Sequence, residues 1–165
     1  MQRILVIGSP GAGKSTLSHK LAQRTGLPLH HLDRMYWLPG WIERDRDEGK
    51  AELDGVLAGD RWIIDGNYGS TLARRLTRAD TVVWLDYSTA LCLSRSLRRW
   101  WLYRGKARPD MTEGCPERLD AEFLLYIARF RRAWRGRNAS ALAGFAGTVV
   151  RFTRPADTAA WLARL

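Results

Sequence analysis

One short segment near the start of the chain, residues 8–15, matches the pattern GxxxxGK[ST] without a mismatch and reads Gly-Ser-Pro-Gly-Ala-Gly-Lys-Ser. Residues 4–7 before it are apolar and mostly β-branched, which predicts a buried strand. Residues 14–24 after it carry leucines at helical spacing. A glycine-rich segment of this pattern binds phosphate when it joins a strand to a helix. The sequence therefore predicts a phosphate-binding loop.

The residue types in this loop suit that role. Gly8, Gly11 and Gly13 permit positive φ angles and leave main-chain N–H groups open to an anion at the amino end of the next helix. We expect Lys14 to place its ammonium near the β- and γ-phosphates, and Ser15 to ligate a Mg²⁺ ion that bridges them. The residues predicted to contact a nucleotide in this region are Gly8, Ser9, Pro10, Gly11, Ala12, Gly13, Lys14, Ser15 and Thr16.

Size and composition indicate a globular protein. The chain has 165 residues, of which 45% are hydrophobic and 27% charged, and these values predict a single domain over residues 1–165. No apolar run approaches the roughly 20 residues that span a bilayer, so we expect no membrane partner. The first predicted strand begins so early that it leaves no room for a leader segment, which makes the cytoplasm the expected location.

The charge balance bears on the partners of the chain. The formal net charge is +10, and arginine supplies most of the cations. Arginine binds phosphate through two parallel hydrogen bonds, so the bias suits an enzyme that acts on nucleotides, and it also admits nucleic acid as a partner. Cys92 and Cys115 have neither metal-site nor disulfide-framework spacing, and we expect both to be free thiols.

Strands and helices alternate along the sequence. Further strands are predicted at residues 27–32, 62–64, 81–85 and 149–152, and further helices at residues 46–57, 71–76, 91–103, 117–134 and 155–165. Repeated strand–helix units with nearly continuous apolar strands predict an α/β fold, with a parallel sheet covered by helices on both faces. Ligands of such sheets bind at the carboxyl edge, where the loops after the first four strands meet.

Two carboxylates close predicted strands at that edge. Asp65 ends the third strand, where a carboxylate reaches the Mg²⁺ of a nucleotide bound by residues 8–15, either directly or through water. Asp86 ends the fourth strand in the same way. A strand-terminal aspartate also serves as a turn or cap residue. The metal ligands that we predict are Ser15 and Asp65.

Asp33 ends the predicted second strand opposite the phosphate loop. In that place it can accept the proton of an attacking hydroxyl, or it can instead cap a turn or pair with Arg34. His30 and His31 precede it and alternate between the two faces of the strand, so we expect one in the core and the other at the crevice.

Two aromatic side chains follow Asp33. Trp37 and Trp41 lie in the next predicted loop, where they can stack on a planar substrate ring. Aromatic side chains more often belong to the core or cover the surface, so both interpretations stay open.

Cations cluster near the end of the helix at 91–103. Arg95 and Arg99 lie four residues apart on one helix face, and the following loop carries Arg104, Lys106 and Arg108. Glycine and proline punctuate residues 104–117, which predicts a mobile lid that closes over bound nucleotide. Such donors stabilise the charge that spreads over a migrating phosphoryl group, although a solvated basic helix face has the same pattern. We assign catalytic roles to Lys14, Asp33, Arg95 and Arg99, and nucleotide contacts to Arg99, Arg104 and Arg108.

A second arginine cluster follows the lid, at residues 129–137. Most of such a run faces solvent, so we expect only one or two of its members to reach the phosphates. Arg129 and Arg132 lie three residues apart on one helix face and are the candidates.

These motifs together resemble those of small kinases of the adenylate kinase type. Residues 8–15 are similar to the phosphate loop of that family, residues 63–66 (Ile-Ile-Asp-Gly) to its third-strand signature, and Arg95 with Arg99 to its helix-borne phosphate clamp. The resemblance implies the P-loop NTPase fold, with a five-stranded parallel sheet in the order 2-3-1-4-5 and a lid at about 104–117. It also implies ATP with Mg²⁺ as the ligand and ATP-dependent transfer of phosphate to a small molecule.

One subgroup of this family, the DNA topology modulation (FlaR-type) proteins, is similar over more of the chain. The similar blocks are His-Leu-Asp at 31–33, Trp-Ile-Ile-Asp-Gly-Asn-Tyr at 62–68, Arg-Pro-Asp-Met at 108–111 and Glu-Gly-Cys-Pro-Glu at 113–117. This resemblance implies the alternative of a nucleotide-binding regulatory protein that acts on DNA topology.

One segment departs from the adenylate kinase pattern. After Asp-Gly those kinases resemble one another in having Phe-Pro-Arg, whose arginine binds the phosphate of the acceptor, whereas this chain has Asn67-Tyr68-Gly69. Arg74 or Arg75 on the next helix is a candidate substitute. An alcohol acceptor, which needs a base such as Asp33, is then as consistent with the sequence as a phosphate acceptor.

Overall fold

A computed structural model of the chain describes residues 1–118 and 120–165. Its elements, in chain order, are β1 (Arg3–Gly8), α1 (Lys14–Thr25), β2 (Leu29–His31), α2 (Leu32–Tyr36), β3 (Trp37–Leu38), β4 (Ile42–Glu43), α3 (Arg46–Ala58), β5 (Trp62–Asp65), α4 (Gly69–Leu76), β6 (Thr81–Leu85), α5 (Thr89–Tyr103), α6 (Ala121–Ala143), β7 (Thr148–Phe152) and α7 (Pro155–Ala163).

The predicted parallel sheet is present. Its five strands lie in the order β2-β5-β1-β6-β7, and every neighbouring pair is parallel. The strand numbers differ from those of the predicted order because β3 and β4, which form a separate antiparallel hairpin, come earlier in the chain than β5. The register sets Asp65 of β5 beside both Val6 of β1 and His31 of β2. The carboxyl edge of the sheet therefore joins Asp65 to the start of the phosphate loop.

Both faces of the three central strands, β5, β1 and β6, are buried, which accounts for their almost wholly apolar sequences. Alternate residues of β1 enter opposite cores: Ile4 and Val6 pack in one cluster with Leu17 and Leu21 of α1. Leu5 and Ile7 of β1 pack in the other cluster, with side chains from α2, α3, α4 and the end of α6. No helix among the described residues is long and apolar enough to cross a bilayer.

Two regions differ from the predicted elements. The loop expected after β2 contains the short helix α2 and the β3–β4 hairpin, whose strands of two residues are too short to leave a periodic pattern. Helix α6 begins later and ends later than residues 117–134. Its start is fixed by Asp120, whose side chain accepts a hydrogen bond from the Phe123 amide (2.6 Å) and caps the first turn.

Candidate active site

The phosphate loop has the backbone that its sequence predicts. Gly11 and Gly13 have φ angles of 77° and 91°, and Gly13 caps the amino end of α1. A Cβ atom on Gly11 would lie 2.2 Å from the carbonyl oxygen of Cys92 in α5. Gly11 is therefore required both by its conformation and by the close approach of α5 behind the loop.

Lys14 belongs to the phosphate loop and is the first residue of α1. Its Nζ atom donates a hydrogen bond to the carbonyl oxygen of Ser9 (3.2 Å), so the ammonium folds back over the loop. Burial lowers the pKa of Lys14, and the nearby carboxylates of Asp65 and Asp33 oppose that shift. Both aspartates are thus close enough to Lys14 to act on its charge.

Asp65 is held by a histidine. The Nδ1 atom of His31 lies 2.9 Å from one carboxylate oxygen of Asp65, and both residues are buried. The other oxygen, Oδ1, is buried without a hydrogen-bond partner among the described residues. A buried carboxylate oxygen with no partner, on a residue that lines the same cavity as Ser15, fits a Mg²⁺ ligand held directly or through water.

Asp33 lies in the first turn of α2 and not at the end of β2, which stops at His31. Burial raises the pKa of Asp33, and the charge of Lys14 limits the increase. Tyr68 forms a hydrogen bond that also lowers this pKa. His30, the neighbour of His31, is only half-buried, so one histidine of the pair is in the core as predicted.

Asp86 is bound by arginines, which favours the structural alternative for this residue over a metal ligand. Its carboxylate accepts hydrogen bonds from the Nε atoms of Arg131 (3.2 Å), Arg135 (3.0 Å) and Arg151 (3.1 Å). Burial raises the pKa of Asp86, but the guanidinium groups of Arg151 and Arg131 outweigh this effect and the pKa is lowered. Because both oxygens are engaged, Asp86 joins α6 to the ends of β6 and β7.

Residues 104–117, which we call the lid segment, carry a network of ion pairs. Glu117 is buried and pairs through Oε1 with Arg99 Nε (2.7 Å) and through Oε2 with Arg108 Nε (2.6 Å). Arg108 also pairs with Asp110 (2.9 Å). Burial and the neighbouring charge of Arg108 lower the pKa of Arg99. Glu117 thus holds two of the predicted phosphate-binding arginines side by side.

The lid segment is docked on the β3–β4 hairpin. Thr112 Oγ1 donates to the carbonyl oxygen of Trp37 (2.6 Å), and Gly40 N donates to the carbonyl oxygen of Gly114 (2.9 Å). Trp41 Nε1 donates to the carbonyl oxygen of Pro116 (3.0 Å). Two further contacts join Cys115 Sγ to the carbonyl of Leu38 and Arg34 to the carbonyl of Pro109. The lid segment is therefore in contact with the hairpin and with α2.

The arginines do not all lie where the sequence predicts. Arg95 donates to the carbonyl oxygen of Ala12 (3.0 Å) and so supports the loop. Arg104 lies over the ring of Trp100 and does not line the cavity, so its assignment as a nucleotide contact has no support in this geometry. Arg129 and Arg132 are exposed and do not line it either. The inward face of α6 carries Arg131 and Arg135 instead, and these bind Asp86.

Neither candidate substitute for the acceptor clamp lines the cavity. Arg74 is exposed and pairs with Asp54 (2.6 Å). Arg75 is fully buried and donates to the carbonyl oxygens of residues 66–68, so it fixes the segment after β5. Asn67, where the adenylate kinase pattern has phenylalanine, bonds to the main chain of Gly8 in the phosphate loop.

One cavity of about 1100 Å³ joins these groups at the carboxyl edge of the sheet. This volume exceeds the usual range of a pocket for one small molecule. The predicted site residues that line it are Pro10, Gly11, Ala12, Gly13, Lys14, Ser15, Thr16, Asp33, Asp65, Arg95, Arg99 and Arg108. Gly8 and Ser9 lie outside this lining, although their main-chain atoms bond to Asn67 and Lys14.

Sequence reasoning missed several lining residues. Glu117 stood out only as part of a motif, because nothing local shows that it bridges two arginines. Tyr126, Phe130 and Trp134 line the cavity from α6, and their spacing of four residues was the available signal. Arg98 and Arg118 also line it, in contrast to Arg104.

Comparison with known proteins concerns the fold. Neither a protein-family model nor a curated protein sequence matches the chain. Among solved structures, it is similar to shikimate kinase from Acinetobacter baumannii in complex with shikimate, with 18% identity, a TM-score of 0.61, and coverage of 99% of this chain and 90% of that one. Shikimate kinase from Bacteroides thetaiotaomicron gives 18% identity, a TM-score of 0.59, and coverage of 99% and 95%.

A third similar structure is deoxyadenosine kinase from M. mycoides with bound dATP, at 13% identity and a TM-score of 0.54, with coverage of 93% of this chain and 91% of that one. None of these comparisons supports the DNA topology modulation subgroup or a nucleic-acid partner. The sheet order, the loop after β1 and these neighbours agree on one conclusion: the chain has the fold of the P-loop kinases.

Proposed function

We propose that this protein is an ATP-dependent phosphotransferase that moves the γ-phosphoryl group of ATP to the hydroxyl of a small molecule. The observation that carries the proposal is the placement of Asp33 and Asp65 near Lys14, at the mouth of a glycine-rich loop. One carboxylate has an unpartnered oxygen suited to a metal, and the other has a raised pKa suited to a base. Shikimate kinase and deoxyadenosine kinase, by their names, are also kinases of small molecules.

The loop and the basic side chains bind and orient the donor in this proposal. The main-chain N–H groups of the loop and the Lys14 ammonium receive the phosphates, and Arg99 and Arg108 neutralise charge on the migrating group. Ser15 and Asp65 Oδ1 are the groups that would hold Mg²⁺, which when bound neutralises charge on the β- and γ-oxygens. The closed lid segment excludes water, so that transfer to the acceptor outcompetes hydrolysis.

Asp33 activates the acceptor. Its carboxylate takes the proton of the attacking hydroxyl as the new O–P bond forms, the bond between the β–γ bridging oxygen and the γ-phosphorus breaks, and ADP leaves. A raised pKa makes Asp33 a stronger base than an ordinary carboxylate, while the Lys14 charge keeps the ionised form accessible.

Labelled ATP tests the proposal directly. The protein is incubated with γ-labelled ATP, Mg²⁺ and a panel of nucleosides, nucleotides and small alcohols, and the label is traced to product. Lys14→Ala is expected to lower the transfer rate by about 10²- to 10³-fold, because a donor to the developing charge is lost. Lys50→Ala is the matched control, since Lys50 pairs with Asp47 on an exposed part of α3. Hydrolysis without transfer to any acceptor would count against a kinase.

A further inference from the structure

One face of α6 carries a row of aromatic rings that points into the cavity. Tyr126, Phe130 and Trp134 follow one another at intervals of four residues. The rings of Tyr126 and Phe130 meet edge to face at 5.6 Å, and those of Phe130 and Trp134 stack at 6.1 Å. Tyr126 is 42% exposed, so this row is not simply part of the core. An exposed aromatic row on a cavity wall offers contact area to a ligand.

A second aromatic group faces this row. Trp37 of β3 and Tyr68 at the cap of α4 line the same cavity, and the ring of Tyr68 stacks on Tyr36 at 4.5 Å. Tyr68 has a φ angle of 30°, a conformation that non-glycine residues rarely adopt. Gly69 packs closely against the ring of Trp134, since a Cβ atom on Gly69 would lie 2.6 Å from that ring. The two groups of rings therefore meet beside Gly69. The rare backbone conformation of Tyr68 places its ring at this meeting point.

Asp33 lies among these rings. The hydroxyl of Tyr68 is close enough to Asp33 to form a hydrogen bond with it, and the charge of Asp33 also reaches Tyr126. The candidate base is therefore surrounded by aromatic groups from α4 and α6, on the side of the cavity formed by α2 and the hairpin.

The cations of the cavity belong to other walls. Those that line it come from α1, α5 and the lid region: Lys14, Lys20, Arg95, Arg98, Arg99, Arg108 and Arg118. The arginines of the chain from α2 to the turn after α4 (Arg34, Arg44, Arg46, Arg61, Arg74, Arg75 and Arg78) do not line it. Several are bound elsewhere, as Arg44 is by Glu52 and Arg75 is by main-chain carbonyls. The elements beside Asp33, from α2 to α4, thus contribute rings and a carboxylate but no cation to the lining, and the cations that reach this side (Lys14, Arg108 and Arg118) come from α1 and from residues 108–118.

We propose that the phosphoryl acceptor is a neutral alcohol with a planar aromatic ring system, of the kind that nucleosides represent, and that it carries no phosphate. The ring stacks between Tyr68 and the α6 row, and the hydroxyl reaches Asp33. A phosphate group placed on this wall would meet the Asp33 carboxylate, and the two cations whose charge reaches Asp33, Lys14 and Arg108, are assigned to the donor in the proposed function. The inference rests on the proposed function, since an acceptor exists only if phosphate is transferred.

Calorimetry separates the classes of acceptor. Binding is measured with Mg²⁺ and a non-hydrolysable ATP analogue for adenosine, guanosine, cytidine and thymidine, for their 5′-monophosphates, and for glycerol, ribose and shikimate. We expect at least one nucleoside to bind about 10-fold more tightly than every non-aromatic alcohol, because stacking of one base has about this effect. We also expect it to bind more tightly than its monophosphate, because the added phosphate would meet the Asp33 carboxylate. The same nucleoside is expected to receive label from γ-labelled ATP.

Variants locate the binding. Tyr126→Leu, at a half-exposed position that should not disturb folding, and Trp134→Leu are expected to weaken nucleoside binding about 10-fold and to leave the affinity for the ATP analogue unchanged. Trp101→Leu is the control, because Trp101 is 71% exposed on α5 and does not line the cavity.

The outcomes of these measurements are distinct. Equal or tighter binding of a monophosphate or a non-aromatic alcohol, or no nucleoside binding at all, would overturn the inference. Label transfer to a non-aromatic alcohol would overturn it and leave the proposed function standing. Failure to bind ATP would contradict the proposed function. Nucleoside binding measured in the absence of the ATP analogue would still test the aromatic wall separately.

Discussion

Asn67 holds Gly8 by two hydrogen bonds. The side-chain oxygen of Asn67 accepts from the Gly8 amide (3.0 Å), and its side-chain nitrogen donates to the Gly8 carbonyl (2.6 Å). These bonds cross from the end of β5 to the first residue of the phosphate loop, 59 positions away in the sequence. The segment that departs from the adenylate kinase pattern thus fixes the loop rather than an acceptor phosphate.

Asn67→Ala is expected to weaken ATP binding. The variant loses two hydrogen bonds, each of which contributes about 1 kcal/mol. Because the freed loop must become ordered when nucleotide binds, the dissociation constant for ATP should rise about 10-fold or more. Isothermal calorimetry with ATP and Mg²⁺ measures the change. Ser70→Ala, an exposed change on α4, serves as the control. An unchanged affinity would show that the loop is held by its own backbone.

Gly11→Ala tests the contact between the loop and α5. The added Cβ would meet the Cys92 carbonyl at 2.2 Å, and the residue has a positive φ, so we expect a lower melting temperature and loss of measurable ATP binding. Gly55→Ala is a matched change in an open position of α3, where helix propensity should add about 0.5–1 kcal/mol of stability. Normal ATP affinity in Gly11→Ala would contradict the close approach of α5.

Asp33→Asn is expected to lower the catalytic rate and to raise the stability of the fold. We expect kcat to fall about 10²- to 10⁴-fold with little change in ATP affinity, because the base is lost but the donor site is intact. The pKa of Asp33 is raised in the folded protein, so its ionised form destabilises the fold. That penalty is full above the folded-state pKa and vanishes as the pH falls below the ordinary value of 3.8.

Thermal unfolding measures this pH dependence. Asp33→Asn is expected to melt at a higher temperature than the unchanged protein at neutral pH, and the difference should shrink as the pH is lowered. The acidic limb of the rate profile, where Asp33 becomes protonated, should be absent in the variant. A neutral-pH melting temperature below that of the unchanged protein would contradict a desolvated Asp33.

Arg75→Ala is expected to be strongly destabilising. Its removal leaves carbonyl oxygens of residues 66–68 buried without donors, and each such loss costs about 1–3 kcal/mol. Arg74→Ala, on the same helix, breaks only an exposed ion pair with Asp54 and should cost at most about 1 kcal/mol. Urea unfolding of the two variants gives the comparison; similar losses for both would mean that the buried guanidinium contributes nothing.

Glu117→Gln examines how the lid segment holds its arginines. The change keeps the shape of the side chain but removes the carboxylate shared by Arg99 and Arg108, so that only Asp110, which pairs with Arg108, remains as a counter-charge beside the two cations. We expect faster hydrogen exchange in residues 104–117 and a lower melting temperature in the absence of nucleotide, with both effects reduced when ATP supplies the negative charge. Glu113→Gln, at an exposed position of the same segment, is the control.

The sequence predicted those parts of the structure that are determined locally. The loop at 8–15, the apolar strands and the strand-terminal Asp65 depend on neighbours in the chain, and the structure contains the expected loop and strands. The partners of the arginines depend on tertiary contacts. Nothing near Arg75 indicates burial against carbonyl groups, and the helical period alone could not show that α6 turns Arg131 rather than Arg132 toward Asp86.

The hairpin escaped prediction for a related reason. Each of its strands has only two residues, and its conformation is fixed by the lid segment, which lies more than 70 positions away. A contact of that separation leaves no periodic signal in either partner. The same holds for Glu117, whose importance comes from two arginines that approach it from different elements.

Most of the bonds that fasten the lid segment to the hairpin use main-chain atoms on the hairpin side: the carbonyls of Trp37 and Leu38 and the amide of Gly40. Main-chain atoms are the same whatever side chain is attached. Substitutions that change the side chains of the hairpin therefore leave these main-chain donors and acceptors in place, so the hairpin surface can diverge in sequence while its attachment to the lid segment is kept.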